Sequence, residues 1–359
     1  MRESERNREL AHLRNHVKRV SPPLLDKASV TQKGAVLLGK HLTCDAHDET
    51  RPLRIVSHAH ADHLMGLNQS LRKCKKILMT PATKDLIDVL RGPLLLMSGY
   101  VETLGYEKPF QYEDERVTFF KADHILGAAQ TLVEDAEGAR IVYTGDFSID
   151  ETPILEADVL VIEATYGDPS CKRLFTADIR SQLVSLVEKG LKQGPVCVFG
   201  YHGKLQETMQ ILHDAAIKAP FITSEKVFHV SKVCEKHGMN LGRLMLPSEE
   251  ETWQLLREDA PCVVFYHTNT SGKIGQGSFR IIVSGWEFNT PIRQTGSNQY
   301  IVALSDHSDY DGLMEYVRQS KPKQVITDGY RAGHAEVLAK QIREQLGLSA
   351  EAQPRQQGV

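Results

Sequence analysis

Several features that would assign a sequence to a class at once are absent from this chain. No stretch approaches 18 consecutive apolar residues, so no membrane-spanning helix is predicted. Residues 1–6 are mostly charged and begin no apolar signal sequence, which predicts a cytoplasmic protein. The six cysteines include no Cys-x-x-Cys pair, and several lie in apolar runs, so we expect them to be reduced and structural.

A strong charge imbalance is also absent. The chain has 43 basic and 46 acidic side chains and a formal net charge of −3, which argues against a generally basic coat for nucleic acid. A polyanionic partner would have to be held by a local patch or by metal ions. With 359 residues, 41% of them hydrophobic, the chain can form one large domain or two packed domains with a substantial core.

The most informative stretch is residues 57–63, which follow an apolar run at 53–56 that is typical of a buried strand. This stretch holds three imidazoles and one carboxylate, those of His58, His60, Asp62 and His63. Zn²⁺ and similar ions prefer these ligand types, and a loop at a strand end can turn alternate side chains toward one point. The alternative is a polar loop that happens to be rich in histidine. The order of the residues favours a site for two metal ions.

The same pattern recurs along the chain, where an apolar strand ends at a polar residue of the metal-binding or acid-base type. The residues at such strand ends are Asp45, His124, Asp146 and Glu163. Sites collect at strand ends in layered α/β proteins because the strands hold the side chains rigidly. Alone, His124 would be typical of a core histidine and Asp146 of a turn residue. Together with the first loop they predict one shared site.

The metal-type motifs resemble those of the metallo-β-lactamase fold. The resemblance is carried by residues 58–63, by His124 in the sequence His-Ile-Leu-Gly-Ala-Ala, and by Gly145-Asp146. It covers residues 30 to about 345. A chain of this kind would bind divalent metal ions at the strand ends.

Two later motifs are similar to those of the β-CASP nucleases, the branch that contains ribonuclease J, the cleavage and polyadenylation endonuclease and the Artemis-like DNA nucleases. They are Glu163 in Ile-Glu-Ala-Thr-Tyr-Gly and His307 in Ser-Asp-His-Ser-Asp-Tyr. Within this branch, residues 201–206 and 305–310 are most similar to bacterial and archaeal exonucleases associated with DNA ligase.

The resemblance implies an α/β fold, an αββα sandwich with an inserted β-CASP α/β cap domain. The expected boundaries are an N-terminal helix and lead-in at 1–29, the metallo-β-lactamase domain at 30–169 and 291–349, the cap at 170–290 and a frayed tail at 350–359. The alternation of helix and strand patterns between about 170 and 286 also predicts a small α/β unit with a parallel sheet. Residues 299–304 would return the chain to the main sheet.

The resemblance further implies a two-metal hydrolase of phosphodiester bonds. The implied metal ligands are His58, His60, Asp62, His63, His124, Asp146 and Asp328. Asp146 would bridge two divalent ions, zinc or alternatively manganese or magnesium, and water between the ions would become the attacking hydroxide.

The implied catalytic residues are Asp62, His307, Glu163 and Asp45. His307 would protonate the leaving oxygen, and Glu163 would orient His307 and keep it cationic. Asp45 would hold a metal-binding histidine, with a strand-end turn as the alternative reading.

One position departs from the family pattern. Where RNA-cleaving members have histidine before glycine, and eukaryotic DNA-repair members have valine, this chain has Asp328-Gly329. Asp328 could ligate the second ion or merely shape the turn, and His334 could reach the site from the following helix. The choice between RNA and DNA is therefore left open by this motif.

Substrate contacts are expected from Lys204, Tyr201 and Tyr166. Lys204 begins a helix whose N-terminal amides could receive a phosphate, and the two tyrosines could stack on bases. The implied partner is DNA, or alternatively RNA, that is single-stranded or has accessible ends, and repair proteins or a ligase could act beside it. A DNA enzyme of this kind would be associated with the nucleoid.

Four functional classes follow. We favour a metal-dependent DNA exonuclease of DNA repair, with a β-CASP ribonuclease in RNA processing as the alternative. A small-molecule metallohydrolase would leave the cap domain and the Glu163/His307 pair unexplained. A non-catalytic scaffold is disfavoured by the full set of metal-type residues.

Overall fold

The computed structural model describes residues 27–93, 99–175, 178–272 and 277–355. The helix expected over residues 2–19 lies outside these ranges. The described residues form three sheets. Two of them pack face to face, and the third belongs to a separate α/β unit. The two facing sheets form the main domain and the third forms the cap.

The first sheet is built from the first part of the chain. The loop after one of its strands contains residues 57–63, here called the metal-type loop. Its strands, in spatial order, are β1 (Ala28–Val30), β2 (Val36–Leu38), β3 (Leu42–Cys44), β4 (Leu53–Ile55), β5 (Lys76–Met79) and β6 (Val101–Thr103). Strands β3 to β6 are parallel, so their carboxyl ends meet at one edge. The helices α1 (Leu67–Lys73) and α2 (Pro81–Arg91) follow β4 and β5. Pro81 opens α2 after Thr80, whose side chain accepts from the Thr83 amide and caps the helix.

The second sheet combines the middle of the chain with its end. Its spatial order is β20 (Ser349–Gln353), β19 (Gln324–Asp328), β11 (Val159–Ile162), β10 (Arg140–Tyr143), β9 (Ala129–Glu134), β8 (Glu115–Lys121) and β7 (Pro109–Tyr112). Strands β10, β11, β19 and β20 are parallel. The helices α7 (Tyr310–Ser320) and α8 (Ala335–Gln341), with a π-helical turn at Ile342–Leu346, complete this half of the domain.

An apolar core fills the space between the two sheets. It contains fully buried side chains from both, among them Val36, Leu38, Ile55, Phe119, Ile141 and Val159. A second core packs the helices on the outer faces, with Leu71, Leu86, Leu313 and Tyr316 against the sheets. The four layers are those of the predicted αββα sandwich.

The cap is a separate α/β unit. Its sheet has the order β14 (Leu244–Met245), β13 (Phe221–Thr223), β15 (Val263–His267), β12 (Val196–Gly200), β16 (Phe279–Val283), β18 (Gln299–Val302) and β17 (Ile292–Gly296). Only the β17–β18 pair is antiparallel. The cap helices are α3 (Ile179–Leu191), α4 (Lys204–Asp214), α5 (Glu225–Lys236) and α6 (Glu250–Arg257). The predicted parallel sheet is present.

Two expected boundaries are wrong. Residues 299–304 do not return the chain to the main sheet, because β18 pairs with β16 and the cap sheet therefore extends to Val302. Residues 350–353 are not a frayed tail, because Ser349–Gln353 forms a strand parallel to β19. Hydrogen bonds between the backbones of β19 and β20 order this segment, so apolar periodicity in the sequence does not reveal the strand.

The six cysteines are buried and none forms a disulfide, as expected from their apolar surroundings. None of the helices in the described ranges is long and apolar enough to span a bilayer.

Candidate metal centre

The sheet topology brings the predicted residues to one edge of the main domain. Asp146, Glu163 and Asp328 stand at the carboxyl ends of β10, β11 and β19, which are parallel neighbours. In the facing sheet, the loop after β4 supplies residues 57–63, with a 3₁₀ turn at Ala61–His63. Because all these strands end at the same edge, side chains far apart in sequence meet there.

A close backbone approach joins the two sheets at the site. Gly145 has φ of 58°, and a β-carbon added to it would lie 3.2 Å from the Ser57 Cβ. Only glycine adopts this conformation without strain in so little space. The contact places Asp146 directly against the histidine loop.

Three imidazoles and one carboxylate converge on a single point. The Nδ1 atom of His60 lies 3.1 Å from His58 Nε2 and 3.0 Å from His124 Nε2. Asp146 Oδ2 lies 3.7 Å from His58 Nε2 and 3.8 Å from His124 Nε2. These four residues form the first group whose ligand atoms all lie within 4.8 Å of one another.

A second group adjoins the first through Asp146. The Nε2 atom of His63 lies 3.2 Å from Asp146 Oδ2 and 3.6 Å from Asp62 Oδ2. His63 is fully buried, whereas the Asp62 side chain is 60% exposed and faces the cleft. Asp146 is thus shared by both groups, and its bridging of two ions stays a prediction.

Each imidazole is held from behind by its other nitrogen. His60 Nε2 donates to the His202 carbonyl at 3.2 Å, and His124 Nδ1 donates to the Asp306 carbonyl at 2.8 Å. His58 Nδ1 lies 3.0 Å from the Ser57 hydroxyl. These contacts leave the facing nitrogens free for a metal ion, which is the usual arrangement around metal-binding histidines.

Asp45 fixes the fourth imidazole. Its Oδ2 accepts from His63 Nδ1 at 2.7 Å and from the Ser57 and Tyr143 hydroxyls, each at 2.8 Å. Its Oδ1 accepts from the Ser57 amide at 2.8 Å. Although burial alone would raise the pKa of Asp45, His63 holds it below the ordinary value. The carboxylate therefore stays ionised and orients His63.

Replacing Asp45 tests this positioning role. We expect Asp45→Asn to weaken metal binding at the Asp62/His63 group roughly 10- to 100-fold, because outer partners of metal-binding histidines contribute that much. Calorimetric titration of the metal-free chain with Zn²⁺ measures both sites. Glu49→Gln, an exposed change in the same segment, serves as the control. Wild-type binding by Asp45→Asn would leave Asp45 as a turn residue only.

A buried arginine secures the backbone of the same loop. The Arg54 guanidinium donates to the carbonyls of Asp45 at 2.8 Å, Met65 at 2.8 Å and His63 at 3.3 Å. Burial lowers the pKa of Arg54 to about 10, so the group is still a cation at neutral pH. It ties the backbone at Asp45 to His63 at the end of the metal-type loop and to Met65.

The protonation states of His58, His124 and Asp146 suit metal binding, whereas His63 would have to release a proton. Burial holds the pKa of His58 well below its ordinary value and lowers that of His124 to about 3, so both are neutral imidazoles. Burial alone would raise the pKa of Asp146, but His63 holds it well below the usual range. Without a metal ion, Asp146 and Asp45 overcome the effect of burial and raise the pKa of His63 to about 10. A cation placed beside Asp146 would compete with that proton.

The residues fit divalent ions. A tetrahedral ion with bonds of about 2.0–2.1 Å separates its ligand atoms by roughly 3.3 Å, close to the 3.0–3.8 Å spacings around His60 and Asp146. The buried Nε2 of His63 faces Asp146 Oδ2 at 3.2 Å, so an ion beside Asp146 would have both a carboxylate and an imidazole ligand on this side.

The predicted pair of Glu163 and His307 lies beside the cluster. His307 Nδ1 lies 3.0 and 3.1 Å from the two Glu163 oxygens, and Glu163 Oε1 also accepts from the Phe147 amide at 2.9 Å. Although burial alone would lower the pKa of His307, Glu163 raises it to about 9. The His307 ring packs 4.7 Å from that of His124. The pair offers a cationic acid next to the metal-type residues.

Lys204 reaches the site from the cap but is already paired. It starts α4, and its ammonium contacts the buried Asp306, next to His307. Asp306 also lies 3.8 Å from His124 Nδ1. Burial alone would raise the pKa of Asp306, but Lys204 holds it far below its ordinary value. The predicted phosphate contact by Lys204 would require this ion pair to open.

Asp328 faces an arginine. Its Oδ2 pairs with Arg331 Nη1, and its Oδ1 accepts from the Tyr330 amide at 3.0 Å. Arg331 is buried and its Nη2 lies 3.9 Å from Asp45 Oδ2. Asp328 lines the cleft, but it does not belong to the close ligand groups of the described residues. Ligation by Asp328 remains a prediction. His334 stands at the N-cap position of α8 and belongs to none of the close ligand groups of the described residues.

The cleft between main domain and cap encloses about 810 Å³ and contains His60, Asp62, Asp146, Glu163 and His307 among its lining residues. Tyr201 lines it and is 52% exposed. Tyr166 is only 1% exposed and packs against Trp286 and Phe288. The prediction that Tyr166 stacks on a base is therefore wrong, because Trp286 and Phe288 cover its ring.

Several residues of the site escape sequence reasoning. They are Ser57, Arg54, Tyr143, Asp306, Arg331 and Trp286. Ser57 and Asp306 adjoin motif histidines, a signal that could have drawn attention to them. Arg54 and Tyr143 stand in apolar strands, and Arg331 lies in a polar loop, where no pattern marks them.

Comparison with known proteins identifies the family of the chain. A family model described as the beta-lactamase superfamily domain matches residues 38–217. The chain is 32% identical to an RNase J-like protein of Methanocaldococcus jannaschii, over 82% of this chain and 87% of that protein. It is 39% identical to an uncharacterized protein in lig 3′ region of Acidianus ambivalens, over 38% of this chain and 99% of that protein.

Two further similarities concern a ligase and a solved structure. A probable DNA ligase of Opitutus terrae is 26% identical over 82% of this chain and 28% of that protein. The crystal structure of a protein of unknown function from Enterococcus faecalis superposes with a TM-score of 0.52 and 14% identity, covering 79% of this chain and 76% of that one. The superposition supports the fold.

Proposed function

The chain belongs to the β-CASP branch of the metallo-β-lactamase superfamily, and we propose that this metal-dependent nuclease is a DNA exonuclease acting in DNA repair inside the cell. The observation that carries the catalytic part is the convergence of four imidazoles and Asp146 at the end of the cleft. The DNA part rests on relatives and is separately testable.

We assign two divalent metal ions to this group of side chains, with zinc as the preferred ion. His58, His60, His124 and Asp146 would hold one, and Asp62, His63 and Asp146 the other. Bound there, the ions would supply a hydroxide nucleophile at neutral pH and offset negative charge on the phosphoryl oxygens. Asp45 keeps His63 oriented, and the buried outer contacts keep the other imidazoles in place. Asp328 could join the second ion if Arg331 released it.

His307 serves as the general acid in this proposal. Its Nδ1 is held by Glu163, so Nε2 is the atom that would pass a proton to the leaving oxygen. Glu163 stabilises the cationic form, which supplies the proton. Lys204 would exchange Asp306 for a substrate phosphate as the strand enters.

The DNA assignment is supported by two relatives. One is described as lying in the lig 3′ region, and another, named a probable DNA ligase, contains a segment that 82% of this chain matches. A nuclease that prepares ends for sealing would fit beside a ligase. The alternative, RNA processing, is supported by the RNase J-like relative and by a 28% identical subunit of the cleavage and polyadenylation specificity factor of Dictyostelium discoideum.

DNA and RNA strands of the same sequence distinguish a function in DNA repair from one in RNA processing. Single strands of DNA and RNA with one sequence, labelled at either end, are incubated with the metal-loaded chain, and the product ladder is read over time. We expect progressive shortening of DNA from one end, with RNA cleaved at least about 10-fold more slowly. Faster cleavage of RNA would move the chain to RNA processing. Internal cuts in a circular single strand would exclude an obligate exonuclease.

A further inference from the structure

Three aromatic rings stand at one edge of the cap sheet. Strands β12, β15 and β16 are parallel neighbours, with Gly200 opposite His267 and Phe199 opposite Ile282. Tyr201 follows β12, His267 ends β15 and Trp286 comes three residues after β16. The three residues, here called the cap rim, therefore share the carboxyl edge of this sheet. Ligands of parallel α/β sheets bind at that edge.

The cap rim lines the same cleft as the metal-type residues. Trp286 is 54% exposed and Tyr201 52% exposed, and all three rim residues line the cleft that contains His60, Asp146 and His307. The Tyr201 and His267 rings are 5.2 Å apart. Trp253, the other tryptophan of the chain, is 63% exposed on α6 and is not among the described residues that line the cleft. Half-exposed aromatic rings inside a cleft are surfaces that a ligand can cover.

Close packing couples the rim to the catalytic groups. The Tyr166 ring contacts that of Trp286 at 4.9 Å and that of His307 at 5.7 Å. A β-carbon on Gly285 would lie 2.2 Å from the Tyr166 hydroxyl, so the backbone beside Trp286 is pressed onto that ring. On the other side, the carbonyl of His202, next to Tyr201, accepts from His60. The rim is thus one layer of residues away from the reacting centre.

We propose that the cap rim, with Trp286 as its main element, stacks the unpaired bases of the strand whose phosphodiester lies at the metal centre. This inference rests on the proposed nuclease function and narrows its substrate to single strands, with DNA as the source we commit to. Base faces are available only in an unpaired strand, because in a duplex the neighbouring base pairs cover them. Stacking tolerates any base, which suits an enzyme that shortens a strand step by step.

Binding to strands with and without bases tests the proposal. The metal-loaded chain is titrated with an oligothymidylate that has phosphorothioate linkages, which resist hydrolysis, and with an abasic strand of the same length and linkage. Trp253→Phe leaves Trp286 as the only tryptophan, so its fluorescence reports the contact directly. We expect quenching by the oligothymidylate and little by the abasic strand.

The variants give the magnitude. We expect Trp286→Ala to weaken oligothymidylate binding about 5- to 150-fold, the range measured for loss of one stacking ring, with abasic binding unchanged. Trp286→Phe should keep most of the affinity, and Trp253→Ala should bind as wild type. Equal weakening for the abasic strand, or wild-type affinity in Trp286→Ala, would overturn the stacking role. If the alanine variant fails to fold, Trp286→Leu, which keeps an apolar side chain but removes the aromatic ring, is measured in its place, and wild-type affinity in that variant would equally overturn the stacking role.

Additional binding and cleavage experiments distinguish a failure of the stacking proposal from a failure of the proposed nuclease function on which it rests. Oligouridylate replaces oligothymidylate in one arm, and tighter, Trp286-dependent binding of the RNA strand would overturn the commitment to DNA. A fully paired duplex should bind without dependence on Trp286, and equal dependence there would contradict stacking. If the wild type cleaves DNA while Trp286→Ala binds it normally, only the rim is refuted. If the wild type cleaves no strand, the nuclease proposal falls first.

Discussion

Asp146→Ala is expected to abolish cleavage while the fold persists. Asp146 is the carboxylate that both residue groups share, 3.2 Å from His63 and 3.7 Å from His58. Without it, two ions would lose a common ligand, and the group of His58, His60 and His124 would lose its one carboxylate member. The several kcal/mol that metal ions contribute to the transition state correspond to a rate loss of roughly 10³-fold or more.

The measurement is the initial rate on an end-labelled single strand, together with metal content by mass spectrometry and far-ultraviolet circular dichroism. Asp150→Ala is the matched control, because Asp150 is an exposed carboxylate four residues away. We expect this control to cleave and bind metal as the wild type does. Unchanged turnover in Asp146→Ala would remove the bridging role. An unfolded variant would be replaced by Asp146→Asn, which keeps the size of the side chain.

His307→Ala is expected to slow cleavage roughly 100- to 10,000-fold, the usual contribution of a general acid, while metal content stays at the wild-type level. The imidazole contacts Glu163 through Nδ1 and has its pKa raised to about 9, so it carries a proton at neutral pH. Loss of metal in this variant would instead make His307 a ligand. His229→Ala, on the exposed face of α5, is the control.

The leaving group distinguishes an acid from a positioning residue. A nitrophenyl phosphodiester releases an anion that needs no proton, so His307→Ala should lose much less activity on it than on DNA. Glu163→Gln should fall between wild type and His307→Ala on DNA, because the hydrogen bond persists but the charge that keeps His307 cationic is gone. Equal losses of His307→Ala on both substrates would contradict proton transfer by His307.

Local patterns predict the main part of the site. Residues 57–63 are adjacent in sequence, and His124, Asp146 and Glu163 each end an apolar strand, so their convergence follows from a layered sheet. The helix-strand alternation of the cap is equally local. The fold class is therefore accessible from strand ends and periodicity, once the motifs are compared with a known family.

The remaining parts depend on contacts that leave no local trace. Lys204 pairs with Asp306 across about 100 residues, and Arg331 turns onto Asp328 and Asp45. Trp286 stands in the loop after β16, and only the sheet order shows that it shares an edge of the cap sheet with Tyr201. Similarly, β20 is ordered by pairing with β19 rather than by its own composition. Tertiary pairing decides such positions.

The central claim is that separated segments of the chain build one centre for two ions. Calorimetric titration of the chelator-treated chain with Zn²⁺, checked by metal content after dialysis, tests it most directly. We expect two equivalents per chain in the wild type, with cleavage lost in chelator and recovered on adding metal back. A single equivalent, no stoichiometric binding, or undiminished cleavage in chelator would contradict the account.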